Sequence, residues 1–262
     1  MQQSKNNCLV CEDLSVRFSG LKALDRVNFY LHEGDILGLI GPNGSGKTTL
    51  INVITGVYKA CGGRLVFREE VITGLQPHEI RAKGIARTFQ SNRLCWNLSL
   101  MDNILLGLHY KQKCNWWSII VKPKTWQNEL QSGIKKIEDV INELNSCLLD
   151  KCYIEMSNFP LIDRRRAEIA RALVAEPTLL LLDEPTAGLN PVETMQIIDD
   201  VARFKEKYPM MSIIIIEHDM GVISRICNRV VVLNAGKKIA DGPYAQVIED
   251  QEVKKAYLGD DM

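Results

Sequence analysis

The chain has 262 residues, with 32 basic and 32 acidic side chains and a formal net charge of zero. That balance argues against nonspecific nucleic-acid binding, which rests on a basic surface, so no nucleic-acid partner is expected. A hydrophobic fraction of 46 % is ordinary for a globular protein, and the length suits one large domain or two small ones. The opening MQQSKNNCLV lacks the charged-then-apolar pattern of a signal peptide. Apolar runs such as Ile213 to Ile216 fall far short of the roughly 20 residues that span a bilayer. A cytosolic protein that reaches a membrane only through a partner is therefore expected.

In chain order, residues 8–18 and 23–32 read as antiparallel strands. Cys8 and Cys11 form a CxxC inside the first, where an odd separation puts them on opposite faces. No second CxxC follows, and the eight cysteines are expected to be reduced thiols without a metal. DILGLI, 35–40, is a continuous apolar run, the mark of a strand buried on both faces. A Gly-rich turn, Gly41 to Thr48, leads to a helix over 49–57. Strand alternation returns over 63–73, and 85–89 is a short strand.

From 98 to about 157 strand alternation disappears and the sequence reads as mostly helical, with a Trp pair at Trp116 and Trp117. A helix over 163–175 follows. The pattern then alternates: strand 178–183, helix 191–207, strand 212–217, helix 219–227, strand 229–234. Alternation of this kind predicts a parallel α/β sheet. There is no internal repeat and no low-complexity linker. The expected class is α/β, with a mostly parallel sheet and an N-terminal antiparallel part. A helical subdomain at about 98–165 is inserted into a single domain spanning 1–262.

Three stretches carry chemistry. GPNGSGKT fits G-x-x-x-x-G-K-[ST], between a buried strand and a helix, so the expected α/β core is a P-loop NTPase core. Gly41, Pro42, Asn43, Gly44, Ser45, Gly46, Lys47 and Thr48, with Thr49 at the helix start, are the candidate phosphate-binding residues. Glycines let backbone N–H groups curl around phosphate oxygens, and the helix N-terminus adds its positive dipole end. Lys47 brings a cation to the β- and γ-phosphates, and Thr48 offers a hydroxyl to Mg²⁺. LLLLDEP, 179–185, ends a buried strand in two acids. Asp183 is the candidate Mg²⁺ residue, acting through water, and Glu184 the base for the attacking water. IIIIEHDM, 213–220, ends another apolar strand, where His218 either contacts the γ-phosphate or caps the next helix.

Together these residues resemble, in their order, the ABC-transporter ATP-binding subunits. The likeness includes Gln90 in GIARTFQ, the helix RRRAEIARAL and LLLLDEPTAGLNP. GIARTFQ, TAGLNP, IEHDM and the C-terminal VIEDQEVKKAYLG look most like the subunits of branched-chain amino acid importers. The resemblance implies an ATPase that uses ATP and Mg²⁺ and energises import of branched-chain amino acids or related small nutrients. It implies two transmembrane permease subunits, a solute-binding protein met indirectly, and a peripheral place on the cytoplasmic face of the cell (inner) membrane. The alternatives are the ATPase of a lipopolysaccharide-type exporter and a low-turnover nucleotide-binding subunit.

The same resemblance puts Phe18 on the adenine ring, with a place in the core as the alternative structural reading. It gives Gln90 a role toward the metal and the attacking water. Asn190 stands where many relatives carry Asp in a loop at the subunit interface. Trp116, Trp117 and Ile119 to Val121 either meet the membrane subunit or form the insertion's own core.

One segment departs from the family pattern. Where relatives have Ser followed by Gly-Gly ahead of this helix, the chain reads FPLID, Phe159 to Asp163. Pro160 offers neither hydroxyl nor N–H. Asp163 is expected to cap the helix with its own carboxylate, and Arg164 to Arg166 to restore some positive charge. In this family the segment completes the partner's ATP site. A heterodimer with a second ATP-binding subunit bearing a normal signature is therefore favoured over a homodimer.

Overall fold

The computed structural model describes residues 6–88, 94–111 and 123–258. Two compact units divide the chain: Met1–Arg87, Thr178–Glu184 and Pro209–Met262 form the first, and Thr88–Pro177 and Pro185–Tyr208 the second.

The first unit holds two sheets. One is antiparallel, in the order β2-β1-β4-β5, from β1 (Asn7–Phe18), β2 (Leu21–His32), β4 (Gly62–Phe67) and β5 (Glu70–Val71). The other runs β10-β9-β3-β8-β7-β6, from β3 (Ile36–Ile40), β6 (Ile85–Arg87), β7 (Leu179–Asp183), β8 (Ser212–Ile216), β9 (Arg229–Asn234) and β10 (Lys237–Gly242). Its strands from β9 to β6 are parallel, and β10 joins β9 antiparallel. Strand β3 and the runs Leu179 to Leu182 of β7 and Ile213 to Ile216 of β8 are buried at every position, as sheets covered on both faces require. One hydrophobic core joins inward residues of both sheets with Leu50, Ile51, Val53 and Ile54 of α1 (Lys47–Ile54).

Local chemistry explains where boundaries differ from the sequence reading. Helix α1 stops before residue 57 because Gly56 takes φ 74°. The amides of Gly56 and Val57 turn back to the carbonyls of Val53 and Asn52, closing the helix in a Schellman motif. The single strand expected over 63–73 is a hairpin instead. Arg68 and Glu69 both have positive φ, the geometry of a tight two-residue turn matched to strand twist, and Phe67 pairs with Glu70.

Cys8 and Cys11 are both buried, so the odd spacing does not separate them into inside and outside. Irregular β1 register beyond each of them breaks strict alternation. Burial pushes both thiols up, Cys11 to about 12.

The second unit is helical among its described residues, apart from an isolated bridge between Ser99 and Glu155. It contains α3 (Leu100–Leu105), α4 (Pro123–Asn145), α5 (Leu161–Leu173) and α6 (Pro191–Lys207); α2 (Pro77–Ala82) belongs to the first unit. Ile137, Val140, Ile141 and Leu144 form the buried stripe of α4 at helical spacing. The chain closes with α7 (Met220–Ile226), α8 (Tyr244–Val247) and α9 (Gln251–Leu258) in the first unit. No described helix is long and apolar enough to cross a membrane.

Candidate active site

Parallel pairing brings three strand ends to one edge of the large sheet. Ile216 of β8 lies in register with Leu39 of β3 on one side and Asp183 of β7 on the other. The Gly41–Thr48 loop, the acids Asp183 and Glu184, and His218 therefore all leave the carboxyl ends of neighbouring strands, where open α/β sheets place their ligands.

The loop is shaped by its glycines. At Gly41, φ is 144°, and an added Cβ would sit 2.0 Å from the Leu233 carbonyl oxygen and 2.8 Å from Ser45 Oγ. Only glycine lets the loop lie this close to β9. Ser45 is buried, and its Oγ has no hydrogen-bond partner, as suits a polar atom built to meet a ligand. Lys47 is buried, and its ammonium donates to the carbonyls of Gly41 and Pro42 at 2.7 and 3.0 Å. Burial lowers its pKa from the ordinary value, against the opposing pull of the Glu184 and Asp183 carboxylates. The two acids thus lie close enough to act on the lysine charge. Asn43, Gly44 and Thr48 are exposed, and Pro42, Gly46 and Thr49 half-buried.

Asp183 is almost wholly buried and receives a hydrogen bond from Arg87 Nη2 at 2.6 Å. Glu184 has φ 49°. This is a conformation that costs a non-glycine residue about 1–3 kcal/mol and gathers at working sites. Its amide donates to the Ile216 carbonyl at 3.0 Å, and Oε1 lies 2.8 Å from His218 Nε2. The imidazole is 48 % exposed. His218 does not cap the following helix: Asp219 does, accepting from the amides of Gly221 and Val222. The imidazole is therefore available to a ligand and to Glu184.

Phe18 is 42 % exposed and meets Tyr58 edge to face at 5.1 Å, which removes the core reading of its ring. Gln90, Trp116, Trp117 and Ile119 to Val121 lie outside the described residues. Asn190 caps α6, accepting from the amides of Val192 and Glu193 in a capping box. Sequence reasoning missed Arg87; only its place three residues before Gln90 could have drawn attention to it.

The FPLID segment corrects two expectations. Helix α5 begins at Leu161 with Pro160 as its N-cap and no side-chain cap bond. Asp163 does not cap; it sits in the first turn and pairs with Arg166 at 3.0 Å. The three arginines are already engaged. Arg164 stacks on Trp96 and bonds the Ser157 carbonyl. Arg165 holds Glu168 and the Ala187 carbonyl, and Arg166 holds Asp163 and Asp200. None supplies a spare cation at the helix start.

A nucleoside triphosphate fits this construction: a loop with no room for a Cβ at Gly41 or Gly46, a buried lysine and an unpartnered hydroxyl. Mg²⁺ fits its neighbours, since Thr48 and Asp183 offer hard oxygen donors of the kind Mg²⁺ selects.

Comparison with known proteins agrees in kind. The family described as ABC transporter matches residues 24–187, and the one described as branched-chain amino acid ATP-binding cassette transporter matches 237–262. The high-affinity branched-chain amino acid transport ATP-binding protein LivG of Escherichia coli K12 is 36 % identical over 247 residues, covering 94 % of this chain and 96 % of LivG. BraF of Pseudomonas aeruginosa, with the same description, is 35 % identical with the same coverage. The solved structure of an ABC-transporter ATP-binding cassette in its ADP conformation superposes with a TM-score of 0.84 at 30 % identity. It covers 97 % of this chain and all of that one.

Proposed function

The chain belongs to the ABC transporter ATP-binding family, and from that premise we propose that it hydrolyses MgATP to drive import of branched-chain amino acids or related small nutrients. The observation that carries the reading is the convergence of Lys47 with the charges of Asp183 and Glu184 at the parallel strand ends.

The chain's residues divide the chemistry. Backbone amides of the Gly41–Thr48 loop, other than at Pro42, which has no N–H, join the Lys47 ammonium in binding the β- and γ-phosphates, and the exposed Phe18 ring stacks on adenine. Mg²⁺, when bound, supplies charge neutralisation at the terminal phosphates, with Thr48 and Asp183 as the residues that would hold it and Gln90 assigned there by family resemblance. Glu184 Oε1 orients the attacking water and takes its proton as the water oxygen bonds to the γ-phosphorus and the bond to ADP breaks. His218 holds that carboxylate in place at 2.8 Å and contacts the γ-phosphate.

The proposed assembly pairs this subunit with a second ATP-binding subunit and two permeases on the cytoplasmic face of the cell membrane, with a solute-binding protein delivering cargo. A helical subdomain of about 98–165 inserted in one ABC domain would dock on the permeases. A heterodimer is favoured because Pro160 starts α5 without a hydroxyl and all three following arginines are engaged. The site completed by FPLID would turn over slowly.

The test is purification of the complex from membranes, reconstitution, and ATPase measurement with and without solute-binding protein loaded with leucine or isoleucine. Stimulation by the loaded protein is expected. Turnover indifferent to every such amino acid, or a complex without permeases, would overturn the proposal.

A further inference from the structure

Arg87 ends β6, the edge strand, in register with Leu181 of β7, two residues short of Asp183. Its side chain is 7 % exposed and that of Asp183 is 1 % exposed. From this position the guanidinium reaches in two directions. Nη2 donates to Asp183 Oδ2 at 2.6 Å. Nη1 donates to Asn52 Oδ1 at 2.5 Å, with Thr55 Oγ1 at 3.5 Å. Asn52 and Lys47 share helix α1, the helix that opens from the phosphate loop.

One planar cation thus ties the carboxylate at the end of β7 to the helix that carries the lysine. A buried carboxylate is costly unless it is paired, and a guanidinium fork fixes two acceptors at once where an ammonium would fix a point. The link has a clear consequence for metal use. Mg²⁺ tolerates little departure from its preferred octahedron, and partners that orient a metal-site residue commonly change affinity 10- to 100-fold when removed.

We propose that Arg87 is a positioning residue: its two-armed bond to Asp183 and Asn52 sets the Asp183 carboxylate relative to the phosphate loop and so determines how well the site uses Mg²⁺. The inference rests on the assignment of Asp183 to Mg²⁺.

The test uses the full-length chain, a fluorescent ATP analogue, and binding measured in EDTA and across a Mg²⁺ titration. The variants are Arg87→Lys, which keeps charge and loses the fork, and Asn52→Ala, which cuts only the α1 arm and leaves the ion pair. Asp183→Asn is the control. Both test variants are expected to bind the analogue in EDTA within twofold of wild type and to keep their melting temperature within a few degrees. Each should need at least tenfold more Mg²⁺ for the half-maximal metal-dependent gain in affinity.

An unchanged Mg²⁺ midpoint in both, while Asp183→Asn shifts it, would overturn the role of Arg87 alone. A midpoint indifferent to Asp183→Asn would instead overturn the metal assignment beneath it. Equal losses with and without Mg²⁺ would reduce Arg87 to a structural contact and also refute the proposal.

Discussion

Two substitutions in the same loop separate backbone shape from mere glycine content. Gly41→Ala and Gly44→Ala both place a methyl at positive φ, 144° and 77°. At Gly44 nothing lies within 4 Å of the new Cβ, so the cost is the backbone preference alone, about 1 kcal/mol. At Gly41 the Cβ would lie 2.0 Å from the Leu233 carbonyl oxygen and 3.1 Å from its carbon. Neither is the yielding tip of a side chain; β9 or the loop must move. Adding overpacking to backbone strain gives about 4 kcal/mol. At roughly 2–4 °C per kcal/mol for a chain of this size, Gly41→Ala should lower the melting temperature by about 8–16 °C, and Gly44→Ala by about 2–4 °C. Thermal unfolding without nucleotide reads the first effect. Titration with a fluorescent ATP analogue should show Gly41→Ala losing affinity at least tenfold more than Gly44→Ala. If the two variants melt and bind alike, the close approach to Leu233 does not shape the loop and the reasoning fails.

Asp200 accepts from Arg166 at 2.8 Å and from Arg203 at 3.2 Å, with only 5 % of its own side chain exposed. Asp200→Leu should cost about 3–5 kcal/mol in chemical denaturation by stranding the Arg166 charge, whereas a loss below about 1 kcal/mol would show the pair is dispensable. Burial pushes the thiols of Cys11 and Cys227 up to about 12 from 9.0. The folded protein then holds these protons more tightly than the unfolded chain. Its stability should fall as pH rises through 9 toward 12, and native-state alkylation at pH 8.5 should label exposed Cys61 and Cys147 well before buried Cys11 or half-buried Cys227. Pro160→Ser with Leu161→Gly and Ile162→Gly should raise the ATPase rate of the assembled complex by at least tenfold at the site this segment completes. Positioned donors to developing phosphate charge carry about 3–4 kcal/mol, and an unchanged rate would refute the weakening.

Strands β3, β7 and β8 were legible in sequence because burial on both faces leaves an uninterrupted apolar run, and the Gly41–Thr48 loop because its backbone shape demands glycine at set positions. The strand-end acids followed from those strands, since parallel pairing leaves Asp183, Glu184 and His218 on one edge. Arg87 was not legible. A lone arginine at the end of a three-residue strand looks the same in sequence whether it faces water or reaches across to Asn52 and Asp183. The hairpin at Arg68 and Glu69 is hidden for a related reason: neither residue is a usual occupant of positive φ, so strand alternation reads straight through it. Asp163 misled because an acid near a helix start suits both a cap and an ion pair. Only Arg166 one turn along and Asp200 on α6 decide between them.

The central claim is that Glu184 acts on a triphosphate already gripped around Lys47. Glu184→Gln removes the proton acceptor while leaving loop, lysine and strand ends intact. MgATP binding and turnover by this variant, measured together in the assembled complex, test the claim directly. Affinity within about threefold of wild type and turnover reduced at least a hundredfold, as loss of a positioned base implies, is the predicted result. Near-normal turnover, or affinity lost in proportion to rate, would contradict it.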